Sequence, residues 1–393
     1  DFHNKICIAD PHSNFGSTQQ VMQPVEENFS ILKEILSDTQ FSTQLNKDDF
    51  YKNVQQILNA LHKQILSIYQ SIVPLLQIRK ESGFIRECHG DLHLGNIALI
   101  EHKILLFDGI EFNDNLRWID TISDCAFLIM DLQDQQQFIF AHHFLNQYLS
   151  KTGDYSSLSV IKFYQLYRAM VRAKVAALRL QQQKTVAMSY KNTLFEIRSY
   201  LELAQSYVPN KTQKKQTFLA ISFGISGSGK SWLSSQLADN LEAIQLRSDI
   251  ERKRLFLQEA DELYSNSTTQ KTYTYLMKIC EIVLNAAYPV IVDATFLDKK
   301  WRREFCKIAE KLQIPFHILS CYADLKTIIQ RLKIRQQKIN NISDADIAIM
   351  KKQLKNSHQL EPEEKKYEIS INTTALSDCS SIIDQIQIKN KQT

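Results

Sequence analysis

Apolar residues recur every three to four positions through most of the first half of the chain. This spacing predicts helices within residues 25–82 and again within residues 118–207, because such residues line one face of a helix. Between these regions, short apolar runs bounded by polar residues and glycine predict strands at 84–88, 97–100 and 103–107. The first half is therefore expected to be mostly helical, with a few short strands.

The second half follows a different pattern, in which short apolar runs alternate with helical segments. Such alternation is typical of a mainly parallel sheet that is covered by helices on both faces. The runs that we interpret as strands cover residues 217–223, 243–246, 289–292, 315–320 and 368–371. The predicted fold class is thus α/β overall, with a mostly helical first half followed by a mainly parallel five-stranded sheet.

A polar, basic stretch opened by Pro209 separates the two patterns. We therefore expect a first domain at residues 1–208, a linker at 209–216 and a second domain at 217–393. The length of 393 residues suits two domains better than one. Because the first residue is Asp1 rather than methionine, we also expect a processed chain or a piece of a longer one.

Composition and charge narrow the class of partner. The net charge of +4 gives no strong indication of a nucleic-acid or membrane partner, and no apolar run is long enough to predict a transmembrane helix. The seven cysteines are scattered and show no C-x-x-C pair, which favours reduced thiols over disulfides or a zinc site. We therefore expect a cytoplasmic protein that does not bind membranes, and the oligomeric state stays open.

One stretch, from Gly224 to Ser231, satisfies every fixed position of the phosphate-binding motif G-x-x-x-x-G-K-S/T. An apolar run precedes it and a helical pattern follows, which is the context that the motif requires. Backbone N–H groups of such a loop point at phosphate oxygens, its lysine bridges the outer phosphates and its serine binds magnesium. We therefore predict binding of ATP with Mg²⁺. The predicted residues are Gly224, Ser226, Gly227, Ser228, Gly229, Lys230 and Ser231, the last also as a metal ligand.

Charged residues further along the chain fit phosphoryl transfer. Asp249 follows the second predicted strand and is either a general base or a helix N-cap, and Arg252 either contacts an anionic substrate or is solvated. Asp293 ends the third predicted strand and suits a magnesium site. Arg331 and Arg335, one helical turn apart, either neutralise charge in the transition state or form a solvated basic face.

Together these motifs resemble those of the small P-loop kinases related to phage polynucleotide kinase and zeta toxins. The matching positions are Gly224 to Ser231, Ser248-Asp249-x-x-Arg252, Asp293-Ala294-Thr295 and Arg331-x-x-x-Arg335. The resemblance implies Asp249 as general base and Arg252 as a contact for a substrate phosphate. It also implies Arg331 and Arg335 as a lid. Together with Lys230 of the loop, these arginines are further candidates for catalytic residues. It does not fix the acceptor, because that family phosphorylates nucleic-acid ends, nucleotide sugars and small molecules.

A second cluster of reactive residue types lies in the first half. Asp91 follows His89 and Gly90 after a predicted strand, Asn96 lies in the same loop, and Asp108 ends the predicted hairpin. This set offers a candidate base in Asp91 and candidate magnesium ligands in Asn96 and Asp108. The alternative is a hairpin with polar turn residues.

The segment resembles the H-G-D-x-x-x-x-N loop of aminoglycoside phosphotransferases, a family similar to protein kinases, with Glu111 where that family often has a second acidic residue. The whole chain resembles bacterial two-domain proteins that join such a lobe to a P-loop domain. In residues 1–88 we find no glycine-rich hairpin and no lysine-bearing strand of the kind that holds the ATP phosphates in this family. We therefore expect the upper lobe to be absent and the site around Asp91 to be incomplete.

The sequence thus favours a kinase whose P-loop domain transfers the γ-phosphate of ATP to a hydroxyl group of an unidentified acceptor. The expected acceptor is a small molecule or a nucleotide-like compound. Two alternatives stay open: a non-catalytic or slow ATPase that acts as a regulator or binding module switched by ATP, and a kinase of nucleic-acid 5′ ends. The modest net charge argues against the second alternative.

Overall fold

The computed structural model describes residues 2–37, 53–182, 187–209, 217–256, 265–337, 347–356, 358–376 and 378–392. The chain divides into two compact units. The first unit is Asp1–Ala141 with Ser157–Pro209, and the second unit is His142–Ser156 with Asn210–Thr393. Of the predicted linker, only Pro209 lies within the described residues. Over the described ranges, no helix has both the length and the apolarity that crossing a bilayer requires.

The first unit is mostly helical, as the apolar spacing predicts. Its longer helices bury one apolar face each; the helix Ile161–Gln182, for example, buries Phe163, Leu166 and Met170. The helices are α1 Thr18–Ser37, α2 Val54–Glu81, α3 Asp114–Arg117, α4 Thr121–Asp134, α5 Phe138–Thr152, α6 Ile161–Gln182 and α7 Ala187–Ser206. Short 3₁₀ turns cover Leu94–Asn96 and Tyr155–Ser159. Helix α5 continues from the first unit into the second.

Short antiparallel strand pairs complete the first unit. Strands β2 (Ile97–Ile100) and β3 (Lys103–Leu106) form the predicted hairpin. Strand β1 (Ile85–Glu87) pairs with a further strand, β4 (Trp118–Asp120). The predicted strands of this half are therefore confirmed, with an addition at β4.

The helical prediction is wrong at β4. Backbone pairing of Ile85 with Asp120 in β1 and β4 overrides the local helical pattern, since strand formation depends on a partner that lies far away in sequence. Asp120 is also held by Arg79, whose guanidinium donates hydrogen bonds of 2.7 and 2.8 Å to its two carboxylate oxygens. The same carboxylate caps α4 by accepting from the backbone N–H of Ile122 at 3.1 Å.

The second unit is built on five strands, in the order β6-β7-β5-β8-β9, and every neighbouring pair is parallel. This confirms the predicted α/β class and the five-stranded sheet. The strands are β5 Leu219–Phe223, β6 Ile244–Arg247, β7 Val290–Asp293, β8 Phe316–Tyr322 and β9 Glu368–Asn372. Strand β7 is buried at every position, because helices cover both faces of the sheet.

The helices of the second unit connect these strands. They are α8 Lys230–Asn240, α9 Ser248–Leu255, α10 Asn266–Asn285, α11 Lys299–Leu312, α12 Leu325–Gln336, α13 Ile347–Asn356 and α14 Ser380–Gln392, with a 3₁₀ turn at Lys365–Tyr367. In a parallel sheet the carboxyl ends of all strands meet at one edge, where ligands bind. The segments that follow β5, β6 and β7 therefore lie side by side.

Residues 142–156 protect the outer edge of this sheet at β6. The side-chain Nδ2 of Asn146 donates to the carbonyl of Ala243 at 3.0 Å, and its Oδ1 accepts from the backbone N–H of Gln245 at 2.8 Å. The carboxamide thus makes the hydrogen bonds that a sixth strand would make at this point. His143 adds a contact of 2.9 Å between its Nδ1 and the Asp239 carboxylate.

We expect Asn146→Ala to lower the free energy of unfolding by about 1–3 kcal/mol, because the substitution leaves the backbone groups of Ala243 and Gln245 without their partner. Chemical denaturation of the full chain measures this change. Asn240→Ala is the matched control, since Asn240 is exposed and its side chain donates to the carbonyl of Gln236 in the preceding turn. Equal effects of the two substitutions would contradict the role of Asn146.

Candidate functional site

The loop between β5 and α8 has a backbone that only glycine adopts without strain at three of its positions, Gly224, Gly227 and Gly229. Gly224 has φ +139° and Gly227 has φ +85°. A Cβ atom on Gly224 would lie 2.3 Å from the carbonyl oxygen of Cys321, and one on Gly227 would lie 2.9 Å from the side chain of Ile328 in α12. The motif glycines therefore allow β8 and α12 to approach the loop closely.

A threonine that sequence reasoning missed ties this loop to the predicted lid. The Thr373 hydroxyl donates to the carbonyl of Ser228 at 2.8 Å. Arg331 on α12 donates to that hydroxyl at 3.0 Å and to the Thr373 carbonyl at 2.6 Å. Thr373 directly follows β9. Its place after the carboxyl end of a predicted strand was the one feature of the sequence that could have indicated a position at the site.

Lys230 is the first residue of α8 and is buried beside the loop. Its Nζ donates to the carbonyl of Ile225 at 2.7 Å. Burial lowers the pKa of Lys230 below its usual value, and the charge of Asp293 only partly opposes this effect. The ammonium group thus lies inside the loop, where the outer phosphates of a nucleotide bind in such motifs.

Ser231 and Asp293 meet beside Lys230. The Ser231 side chain lowers the pKa of the Asp293 carboxyl, and Arg247 lies 3.4 Å from Asp293, measured from Nε to Oδ2. Burial raises the pKa of Asp293, while Arg247, Ser231 and Lys230 oppose that rise. A hydroxyl and a carboxylate side by side supply the oxygen ligands that Mg²⁺ prefers, so the donor set fits the predicted ion.

Asp249 lies in the first turn of α9, directly after β6. The N-cap of this helix is Arg247 and it has no side-chain cap, so Asp249 is not the N-cap residue that the sequence left as an alternative. Arg252 lies one turn on, and its Nη1 is 3.4 Å from the Asp249 carboxylate. Arg252 is only 8% exposed, so the structure also excludes the alternative of a solvated arginine at this position.

A cavity of about 500 Å³ joins these groups. Of the predicted residues, its walls contain Ser226, Gly227, Gly229, Lys230, Ser231, Asp249, Arg252, Asp293, Arg331 and Arg335. Gly224 and Ser228 belong to the loop but lie outside this wall. The wall also contains the stacked rings of Tyr273 and Trp301, with centroids 4.8 Å apart, which sequence reasoning did not select.

Helix α9 is held from its far side by residues 142–156. Glu251, in the same turn as Asp249, is fully buried and accepts a hydrogen bond of 2.8 Å from the Tyr155 hydroxyl. Arg254 bonds both to Glu251 and to the carbonyl of Ser150. A segment remote in sequence therefore fixes the helix that presents Asp249 and Arg252 to the cavity.

Of the predicted cluster of the first unit, the side chains of Asp91 and Asn96 are in contact, whereas Asp108 meets Asn96 through its backbone carbonyl. Nδ2 of Asn96 donates to the Asp91 carboxylate at 3.1 Å and lies 3.5 Å from the Asp108 carbonyl. Burial raises the pKa of Asp91, but the hydrogen bond and charge of His93 outweigh this effect and leave that pKa below its usual value. The three predicted residues Asp91, Asn96 and Asp108 therefore share one loop and hairpin.

The loop that carries Asp91 depends on a buried aspartate that sequence reasoning missed. The Asp124 carboxylate accepts from the backbone N–H groups of His89 at 3.1 Å and Gly90 at 3.0 Å. Arg168 donates to the Gly90 carbonyl at 2.9 Å. Over the described residues before His89, the structure contains α1, α2 and β1 but no β-hairpin.

Part of the second unit is similar to a known protein family. Residues 219–360 match the family model described as an AAA domain. An uncharacterised protein of Mycobacterium tuberculosis strain H37Rv and one of Mycobacterium bovis are each 29% identical to the chain over 281 residues. The alignment covers 69% of this chain and 54% of each relative, so the chain spans about half the length of the curated relatives it matches.

Three solved structures that resemble the chain each cover less than half of it. Kti12 of Chaetomium thermophilum in complex with ADP-AlF3 gives a TM-score of 0.36 at 17% identity, covering 44% of this chain and 98% of that one. The Mycobacterium tuberculosis APS kinase CysC in complex with AMPPNP and APS gives 0.32 at 18% identity, covering 45% and 98%. A gluconokinase of Sinorhizobium meliloti gives 0.33 at 13% identity, covering 45% and 91%.

The match to the AAA-domain model thus falls on the part of the second unit that contains most of the parallel sheet and the loop with the phosphate-binding motif. The kinase-like interpretation of the first unit stays a prediction.

We expect Gly227→Ala to weaken binding of ATP by about tenfold or more, because the added Cβ meets Ile328 and the left-handed backbone costs about 1–2 kcal/mol for a residue other than glycine. Calorimetric titration of the full chain measures the affinity. Gln236→Ala, on the exposed face of α8, is the control. If both variants bind ATP as tightly as the unchanged protein, the close approach of α12 to the loop is not needed for binding.

Proposed function

We propose that the second unit is a kinase that transfers the γ-phosphate of ATP to a hydroxyl group of a small acceptor. The observation that carries this proposal is a cavity whose wall contains residues of the phosphate-binding loop together with several carboxylates and arginines. Among them are Asp249, Asp293, Arg252, Arg331 and Arg335. Phosphoryl transfer needs mainly positioning and charge stabilisation, and these residue types supply both.

The loop supplies the nucleotide site. Its backbone N–H groups and the N-terminus of α8 bind phosphate oxygens, and Lys230 places a positive charge beside the outer phosphates. Ser231 and Asp293 would hold Mg²⁺, and the bound ion would supply positive charge that neutralises the charge developing on the phosphate oxygens.

The other wall supplies the acceptor site. Asp249 accepts the proton of the acceptor hydroxyl while its oxygen attacks the γ-phosphorus and the bond to the β-phosphate oxygen breaks, which releases ADP. Arg252 holds an anionic group of the acceptor. Arg331 and Arg335 lie on one face of α12 and stabilise the charge of the transferred group. A small molecule or nucleotide-like compound fits these roles, and a nucleic-acid end is the less favoured acceptor.

The proposal is tested by incubating the full chain with γ-labelled ATP and pools of metabolites and oligonucleotides, and then identifying the labelled product. A labelled small molecule supports the proposal. A labelled oligonucleotide end supports the nucleic-acid alternative instead, and release of phosphate without any labelled acceptor supports an ATPase that works as a switch.

With the acceptor in hand, we expect Asp249→Asn to keep the affinity for ATP but to lower the transfer rate by about 10² to 10⁴, the usual contribution of a positioned base. Rate measurements at saturating ATP test this. Asp384→Asn, an exposed position on α14, is the matched control. Turnover that survives within about tenfold would contradict the role of Asp249 as the base.

A further inference from the structure

One backbone donor of the phosphate-binding loop is already engaged by a side chain of this protein. The N–H of Ser226 donates to Oε1 of Gln353 on α13 at 2.8 Å. Ser226 is buried, and both residues lie in the wall of the cavity. In loops of this type the backbone N–H groups bind phosphate oxygens, so the Gln353 carboxamide oxygen takes the position of a phosphate oxygen at Ser226.

Helix α13 is held in this place by apolar packing. Met350, one turn before Gln353, is 1% exposed and packs against Ile328 and Leu332 of α12. Ile225 of the loop packs against the same cluster. Met350 and Gln353 are three residues apart and therefore share one face of α13, which is directed at the loop.

The same cluster links α13 to the predicted lid. Ile328 and Leu332 belong to α12, the helix that carries Arg331 and Arg335, and α12 touches the loop at Gly227. A movement of α13 relative to the loop would therefore change the packing of the helix that carries both arginines.

We propose that Gln353 is an internal competitor of the nucleotide: its carboxamide oxygen holds the Ser226 N–H until a phosphate oxygen replaces it, and the replacement releases α13 from the loop. This rests on the proposed function in so far as the loop binds nucleotide phosphates. A phosphate oxygen wins this exchange because it is charged, whereas the carboxamide oxygen is neutral. The competition costs the nucleotide a modest part of its affinity, since one neutral hydrogen bond has to be given up.

The experiment is a calorimetric titration of the full chain with Mg²⁺ and a non-hydrolysable ATP analogue. We expect Gln353→Ala to bind about 2- to 10-fold more tightly than the unchanged protein, because the competitor is removed. We expect Gln353→Glu to bind more weakly, because a carboxylate accepts the Ser226 N–H more strongly and repels the phosphates. Gln336→Ala, an exposed glutamine on α12, is the matched control and should change nothing.

The outcomes separate this proposal from the proposed function. Weaker binding by Gln353→Ala would show that Gln353 is a ligand of the nucleotide, and unchanged binding would show that it does not compete. Either result overturns the proposal while nucleotide binding stands. If Gln353→Ala binds the analogue and the unchanged protein does not, the result supports the proposal and shows that Gln353 blocks nucleotide binding completely. No binding by any of the variants would overturn both proposals.

Discussion

The second unit depends on one constraint: the loop after β5 must make a tight turn around a buried lysine, and the polar groups that this turn buries need partners. Buried backbone groups and a buried ammonium are costly unless each is hydrogen-bonded. The loop makes the turn through glycines with positive φ. Lys230 donates to the Ile225 carbonyl, Thr373 donates to the Ser228 carbonyl, and Gln353 accepts from the Ser226 N–H. Strands β8 and β9 and helices α12 and α13 all contribute to holding this one turn of chain.

The arrangement also gives a physical reason for joining the two halves in one chain. Residues 142–156 lie in the sequence of the first half but belong to the second unit, where Asn146 covers the edge of β6 and Tyr155 supports Glu251. Glu251 shares a helical turn with Asp249, so the orientation of the proposed base depends on a segment outside residues 217–393. A P-loop domain cut at residue 217 would lose these partners and expose a strand edge.

Much of the fold and of the candidate site could be predicted from the sequence, because it depends on residues that lie close together along the chain. The motif from Gly224 to Ser231 carries its own geometry, and short apolar runs between turn residues mark the strands of the second unit. The partners of these elements could not be read from the sequence, since Thr373, Gln353 and Asp124 reach their contacts from remote positions. The strand at Trp118–Asp120 was missed for the same reason: it forms only because β1 lies beside it. For Asp249 the sequence left two roles open, a general base or a helix N-cap. The structure excludes the N-cap role, because the helix begins at Ser248 and its N-cap is Arg247.

The central claim is that the phosphate-binding loop of the second unit, and not the cluster around Asp91, drives ATP-dependent chemistry in this chain. The most direct test compares release or transfer of labelled γ-phosphate from ATP by Lys230→Ala and by Asp91→Ala in the full chain. The account predicts that Lys230→Ala abolishes the activity, because the charge beside the outer phosphates is lost, while Asp91→Ala leaves it unchanged. Loss of activity in Asp91→Ala with activity retained in Lys230→Ala would contradict it.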